Sequence, residues 1–173
     1  MSTTNQNSDG HHEDLSGPDA VAKIREIVGQ AKNGFFCTVT PPGVSGGARP
    51  MNVREVDDAG HLWFLSARDS HHNAEIARDP SVSLYFQGSP HSDFLALAGR
   101  ATISTDQARI EQLWDSAAQT WFTEGVTDPR ITVIKVEPTD GYYWDTKHSY
   151  FIAGIKMLFG SPMSDAVSGK VKV

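Results

Sequence analysis

The sequence holds a single cysteine, Cys37, so no intramolecular disulfide can brace its core. That cysteine lies in the apolar run Phe-Phe-Cys-Thr-Val (35–39), where a structural thiol inside a strand is expected rather than a reactive one. Long hydrophobic runs are missing as well. Nothing approaches the roughly 18 consecutive apolar residues of a membrane span. The N-terminus has neither the basic nor the apolar region of a signal peptide. No membrane role is expected, and the cytoplasm is the expected compartment. Positive charge is scarce: the formal net charge is -6, and the body of the chain has no basic cluster of the kind that neutralises phosphates. Nucleic acid is therefore not an expected partner. The spacings His-Glu-x-x-His and Cys-x-x-Cys are absent, as is a Walker-type phosphate loop.

What is present fits one soluble domain. A length of 173 residues with 39% hydrophobic and 21% charged residues is enough for a full-sized core. Residues 1–16 are polar with one leucine and read as a disordered leader carrying His11 and His12. Residues 17–160 read as the folded domain. Residues 161–173 read as a flexible basic tail; Lys147 and Lys156 before it, with Lys170 and Lys172 in it, make that end of the chain basic.

From Pro18, Val21, Ile24, Ile27, Val28 and Ala31 recur at helical spacing, with Gly34 as the expected stop. Strands are expected at 35–39, 49–56, 62–66, 82–87, 94–103, 131–137 and 141–145, with turn-forming stretches such as Glu-Pro-Thr-Asp-Gly (137–141) between them. Short connections imply antiparallel pairing. A second helix is expected from Ser70 to Pro80. A third starts at Asp106 and carries Ile110, Leu113, Trp114 and Ala117 on one face. The fold class is thus mainly β (α+β): six or seven antiparallel strands closing into a barrel, with peripheral helices.

His71 and His72 are the most conspicuous polar pair. Neighbours on a helix diverge by about 100°, so the two do not converge on one metal. No metal site is expected. With Ser70 as N-cap, His71, His72 and Asn73 fill the first helical turn, where unpaired backbone N–H groups and the helix dipole favour an anion. Asp69 opposes this, and an ordinary solvated helix start accounts for the same segment. Arg49, after the flexible Gly46-Gly47-Ala48, can grip a phosphate with its guanidinium fork; Arg54 follows on the same strand. Taken alone, both arginines also read as surface residues.

The order of these segments, Ala-Arg-Pro-Met-Asn-Val-Arg (48–54), Phe-Leu-Ser-Ala-Arg-Asp-Ser-His-His-Asn (64–73), Leu-Ala-Leu-Ala-Gly-Arg-Ala-Thr-Ile-Ser-Thr-Asp (95–106), Trp-Phe-Thr-Glu-Gly (121–125) and Gly-Tyr-Tyr-Trp-Asp (141–145), resembles the flavin-binding split barrels related to pyridoxamine 5'-phosphate oxidase. The similarity is marked to the general stress protein 26 branch. The resemblance runs from about residue 18 to 160 and implies a homodimeric split barrel with FMN sites between subunits. It places Arg49 on the FMN phosphate, Pro50, Met51 and Asn52 beside the ring and ribityl chain, and Leu65, Ser66 and Ala67 against the flavin. From the partner subunit come Trp121, Phe122 and Trp144, although interface packing accounts equally well for Trp121 and Trp144. Relatives carry lysine where this chain has His72, so phosphate binding here should depend on pH.

True pyridoxamine 5'-phosphate oxidases also carry a C-terminal arginine and histidine that hold the substrate phosphate. Here the last arginine is Arg130, with only Lys147 and His148 beyond it, so that oxidase activity is not expected. A flavin brings its own redox chemistry, which explains the lack of a visible catalytic dyad. The leading expectation is an FMN-dependent oxidoreductase passing hydride from a reductant to a small organic acceptor. Alternatives are a non-catalytic flavin-binding, storage or sensing protein, the same barrel holding FAD or a deazaflavin, and a cofactor-free dimeric scaffold.

Overall fold

A computed structural model describes residues 11–12, 14–90, 93–145 and 167–172. The segments 1–10 and 146–166, with Lys147, His148 and Lys156, lie outside the described residues. Two short strands, β1 (His11–His12) and β2 (Leu15–Ser16), lead into α1 (Gly17–Ala31). Proline in the first turn of α1 forfeits no helical hydrogen bond, because that N–H has no intrahelical acceptor. The helix buries Ala20, Val21, Ile24, Ile27 and Val28, the face its spacing predicts. It ends at Lys32, whose φ of 58° is left-handed and whose N–H reaches Val28 O at 2.7 Å.

Gly34, expected as the stop, serves a different need. It lies within β3 (Asn33–Thr38), where an added Cβ would meet the Phe86 ring at 2.4 Å and Tyr85 O at 2.8 Å. β4 (Ala48–Asn52) and β5 (Glu55–Val56) follow. They were expected as one strand, but the chain turns at Val53 and Arg54, whose N–H groups bond to Lys32 O and Trp63 O. β4 therefore pairs with β3, while β5 pairs with β6 (Leu62–Ala67).

After β6 come α2 (His71–Arg78), β7 (Ser81–Gln87), β8 (Phe94–Ser104), α3 (Gln107–Leu113) and β9 (Ile131–Asp145). Asp106 caps α3 by accepting from Ala108 and Arg109 N–H. β9 is continuous where a turn at 137–141 was expected to separate two strands. A bulge absorbs the difference: Gly99 faces Pro138 and Ala98 faces Asp140, leaving Thr139 as the extra residue. Proline is tolerated there because the ladder is already interrupted.

The sheet runs β4-β3-β7-β8-β9, and β6 joins the first half of β9 on its other side. With β5 bridging back from β4 to β6, the sheet curls into a split barrel with three α-helices among the described residues. All pairings among β3 to β9 are antiparallel. The expected tail contains a further strand, β10 (Val167–Lys172), which extends the sheet at the second half of β9 and buries Val171. β1 and β2 pair with β10 in parallel. Among the described residues no helix is long and apolar enough to cross a membrane.

Two apolar clusters form among the described residues. The interior holds Ile24, Ile27, Phe36, Phe64, Leu84, Leu97, Ile134, Val136 and Tyr143 with their neighbours. Phe36 and Phe64 meet edge to face, with centroids 5.2 Å apart and planes at 87°, an arrangement worth about 0.5–1.5 kcal/mol beyond area burial. The second cluster lies outside the barrel wall. There Ile110, Leu113, Ala118 and Phe122 cover Ile131 and Val133, with Trp63, Leu65 and Ala67 packed against them. Alternation explains the division: Leu62, Phe64 and Ser66 point inward, and Trp63, Leu65 and Ala67 point outward.

Because the Gly34 site has no room for a methyl group, Gly34→Ala is expected to destabilise the fold by about 1–3 kcal/mol, the usual cost of overpacking. Urea unfolding of the two proteins checks this, and an unchanged midpoint would mean that Phe86 and the β7 backbone give way freely.

Candidate functional site

The site begins with the way α2 is fixed to the barrel. Ser70 caps the helix, its hydroxyl accepting from Asn73 N–H at 3.3 Å. Asn73 turns inward and is 6% exposed. Its side-chain amide donates to Thr132 Oγ1 at 2.8 Å, and its carbonyl oxygen accepts from the Ser66 hydroxyl. Thr132 Oγ1 in turn donates to Ser66 O at 3.0 Å. This buried triad joins α2, β6 and β9, and it commits the side chains of Ser66 and Asn73 to holding the helix.

Fixing Asn73 places the residues on either side of it. His72 packs near Phe36, ring centroids 6.4 Å apart, and its Nε2 is buried without a hydrogen-bond partner. Burial and the nearby Arg49 charge push the imidazole below its ordinary pKa, with Glu75 pulling weakly the other way. The neutral form of His72 is therefore favoured at pH 7. Strand pairing sets Arg49 opposite Phe36. Its guanidinium meets Glu75 through two bonds, Nη1 to Oε2 at 2.9 Å and Nη2 to Oε1 at 3.1 Å. Nη1 also lies 3.3 Å from both Thr38 Oγ1 and Gly47 O. The Thr38 hydroxyl donates to Glu75 Oε2. The Arg49 bonds, together with that from Thr38, hold the Glu75 carboxyl below the usual carboxylate range.

The structure thus brings Arg49, His72 and the first turn of α2 together, with Glu75 and Thr38 as members the sequence reading did not name. Glu75 follows His71 by one helical turn, so the spacing could have suggested it; Thr38 needs the β3–β4 register. His71 is exposed. Met51 is half-buried against the interior cluster, and Pro50 and Asn52 are exposed. Asn52 is tied locally, donating to Lys32 O and Asn33 Oδ1 and accepting from Arg54. Arg54 also donates to Leu113 O and pairs with Asp115, so it anchors the end of α3. Leu65 and Ala67 pack on the outer cluster, and Phe122 is 5% exposed inside it. Trp121 and Trp144 are open, at 78% and 40% exposure. Trp144 lies on β9, four strands from β4 along the sheet.

Two further features bear on chemistry. Residues 43–47, Gly-Val-Ser-Gly-Gly, carry the Gly-x-Ser-x-Gly spacing of hydrolases, but they form the loop between antiparallel β3 and β4. A nucleophile elbow needs a strand-to-helix turn, so Ser45 is not one. A groove of about 470 Å³ runs along the outer sheet face past Cys37, Ser83, Ala98, Gly99 and Arg100. It shares Thr38 with the cluster and excludes Arg49, His72 and Glu75. Burial pushes the Cys37 thiol up, away from the reactive thiolate.

Comparison with known proteins follows the same lines. Residues 19–163 match the family described as "Pyridoxamine 5'-phosphate oxidase like". Among solved structures, general stress protein 26 from Bacillus anthracis is 23% identical, with 71% of this chain and 92% of that one covered at a TM-score of 0.62. The general stress FMN/FAD binding protein from Xanthomonas citri is 24% identical, covering 72% and 87%, TM-score 0.63. A pyridoxamine 5'-phosphate oxidase-related, FMN binding protein from Nostoc punctiforme is 18% identical, covering 74% and 81%, TM-score 0.57. These likenesses show the fold. Protein bli-3 of Neurospora crassa is 24% identical over 105 residues, and the match spans 50% of its length.

Asn73→Ala is expected to cost about 1–3 kcal/mol, because it leaves buried hydroxyls without their partner; thermal unfolding measures it. In an NMR titration the His72 ring should have its midpoint below about 6.5, the value for an unperturbed histidine side chain. Arg49→Met should raise that midpoint by removing the opposing charge. A midpoint that ignores Arg49→Met would place His72 outside the cluster.

Proposed function

Because this chain belongs to the pyridoxamine 5'-phosphate oxidase-like family, we propose that it binds FMN with the phosphate at Arg49 and His72 and works as a flavin-dependent oxidoreductase on a small organic substrate. The observation that carries this reading is the pairing of a half-buried guanidinium with a buried imidazole nitrogen that no protein group satisfies. Both are suited to an oxyanion, and both sit where the first turn of α2 adds backbone N–H groups. The residues present therefore fit a phosphate. The Xanthomonas and Nostoc proteins are named as FMN/FAD binding and FMN binding, which supports a flavin as its bearer.

In this reading the flavin, when bound, supplies hydride transfer, and the protein binds and orients it. Arg49 and His72 hold the phosphate, Met51 and the Pro50–Asn52 backbone flank the remainder, and water is excluded by a second subunit. The outer sheet face supports such a homodimer. Phe35 and Tyr85 are paired across β3 and β7, Phe94 and Trp144 across β8 and β9, and all four are 40–57% exposed. Between β4 and β8, Ala48, Cys37, Ser83 and Ala98 form a row of small side chains in register. Aromatics flanking a flat row suit a well-packed interface. Trp121 and Trp144 would then face the partner's flavin. A stress-related role accords with the names of the similar proteins, and the cytoplasm is the compartment we propose for it.

A second reading, flavin binding without turnover, is favoured by one observation: the Ser66 hydroxyl and the Phe122 ring are both consumed inside the subunit. Steady-state oxidation of NAD(P)H with a panel of acceptors separates the two, and absence of any turnover favours the binder. FAD or a deazaflavin would appear in chromatography of the chromophore released on denaturation. Purified protein that is colourless and fails to quench FMN fluorescence would sink both readings.

Binding should depend on pH. Arg49 on β4, Glu75 on α2 and the Phe36 ring on β3 face His72; burial and the Arg49 charge favour its neutral form in the free protein, against the opposing pull of Glu75. A phosphate dianion favours the protonated ring, so binding takes up a proton. Affinity is then highest below the depressed pKa of the free protein and falls as pH rises through the raised pKa of the complex. FMN should dissociate more readily at pH 8 than at pH 6, and a constant affinity over that range would remove His72 from the site. Arg49→Met should weaken FMN binding by about tenfold or more, measured by fluorescence quenching. Analytical ultracentrifugation should find a dimer; a monomer at micromolar concentration would overturn the shared-site arrangement.

A further inference from the structure

The Arg49 guanidinium already holds an anion. Glu75 reaches it with both carboxylate oxygens, at 2.9 and 3.1 Å, and also receives the Thr38 hydroxyl. Glu75 is 13% exposed and Arg49 26%, so the pair is largely withdrawn from solvent. A planar guanidinium fork takes a carboxylate or a phosphate in the same bidentate geometry. The two therefore compete for one set of donors, and like charges crowded onto one guanidinium repel.

The fit of Glu75 is incomplete. Its two oxygens serve Arg49 and Thr38, yet His72 Nε2 beside them is buried and unpartnered. A phosphate brings a third terminal oxygen, which a carboxylate lacks. The cluster thus has one more polar position than its resident carboxylate can fill.

We propose that Glu75 is a built-in anion that occupies Arg49 and Thr38 until a phosphate displaces it, and so sets how strongly this site prefers a phosphorylated over an unphosphorylated flavin. The proposal rests on the flavin reading above. It also gives Glu75 a role before any ligand arrives, since a half-buried guanidinium without a partner is costly. Displacement requires only a side-chain rotation. The helix itself stays where Asn73 fixes it, and Glu75 can swing toward the exposed edge formed by Ala74, Ala77 and Arg78.

The test compares the wild type with Glu75→Gln, which keeps the shape and removes the charge, and with Glu75→Ala, which removes both. FMN and riboflavin affinities are read by flavin-fluorescence quenching, and inorganic phosphate binding by ³¹P line broadening. The expected result is FMN binding about tenfold tighter in both variants with riboflavin unchanged, because only the phosphate competes with the carboxylate. Flavin binding by the wild type, with FMN affinity unchanged or weaker in the variants, would overturn the proposal and leave the flavin reading standing. Glu75 would then only position Arg49. If no flavin binds to any of the three proteins, the flavin reading fails and the phosphate arm decides. Tighter phosphate binding in the variants upholds the resident anion, and unaltered binding overturns it.

Discussion

The buried contact between Asn73, Ser66 and Thr132 fixes the rest of the site. An amide and two hydroxyls, each no more than 6% exposed, satisfy one another across a helix and two strands. Left unpaired, any of them would be costly in the interior, so α2 has one strongly preferred seat. From that seat His72 is carried inward beside Phe36, and Glu75 is carried over Arg49. The apolar contacts of Ile76 add to the attachment. The triad sets the address of the helix, and the ion pair settles within it.

In the proposed site Arg49 would serve stability and recognition alike. Its carboxylate partner relieves a half-buried charge, while its position at the start of β4 beside Gly47 keeps it near open backbone. Neutral His72 means that the cluster carries no net charge, one positive group against one negative. In the proposed site an incoming phosphate would therefore meet balanced charge, and its affinity would draw on the proton of His72 and the carboxylate of Glu75. In a relative with lysine at the His72 position the balance would be positive from the outset.

Much of the architecture was legible in the residues because alternation and turn chemistry are local. The helix faces of α1 and α3, the Ser70 and Asp106 caps and the strand positions all follow from spacing. The departures share a cause: each depends on what lies across the sheet. Gly34 looks like a helix stop, but its lack of a side chain answers to Phe86 on the neighbouring strand. Pro138 looks like a strand break, but the facing Gly99 allows a bulge. Ser66 and Asn73 look like ligand-facing polar groups until Thr132, 59 residues beyond Asn73 in the chain, is found to be their partner. Glu75 is hidden for the same reason, since nothing local pairs it with Arg49, 26 residues earlier.

The double pairing of β9 has a consequence for how the chain is made. β9 bonds to β8 on one side and to β6 on the other, and the β6 pairing joins Leu62 to Val136 and Ala67 to Ile131. During synthesis the strands up to β8 emerge before the one that joins both open edges. Until β9 arrives, β6 lacks its main partner and β8 exposes a long row of unpaired N–H and C=O groups, the usual templates for association with other chains. Ribosome-bound intermediates truncated before residue 131 are thus the stage at which the edges of this barrel are most open to other chains.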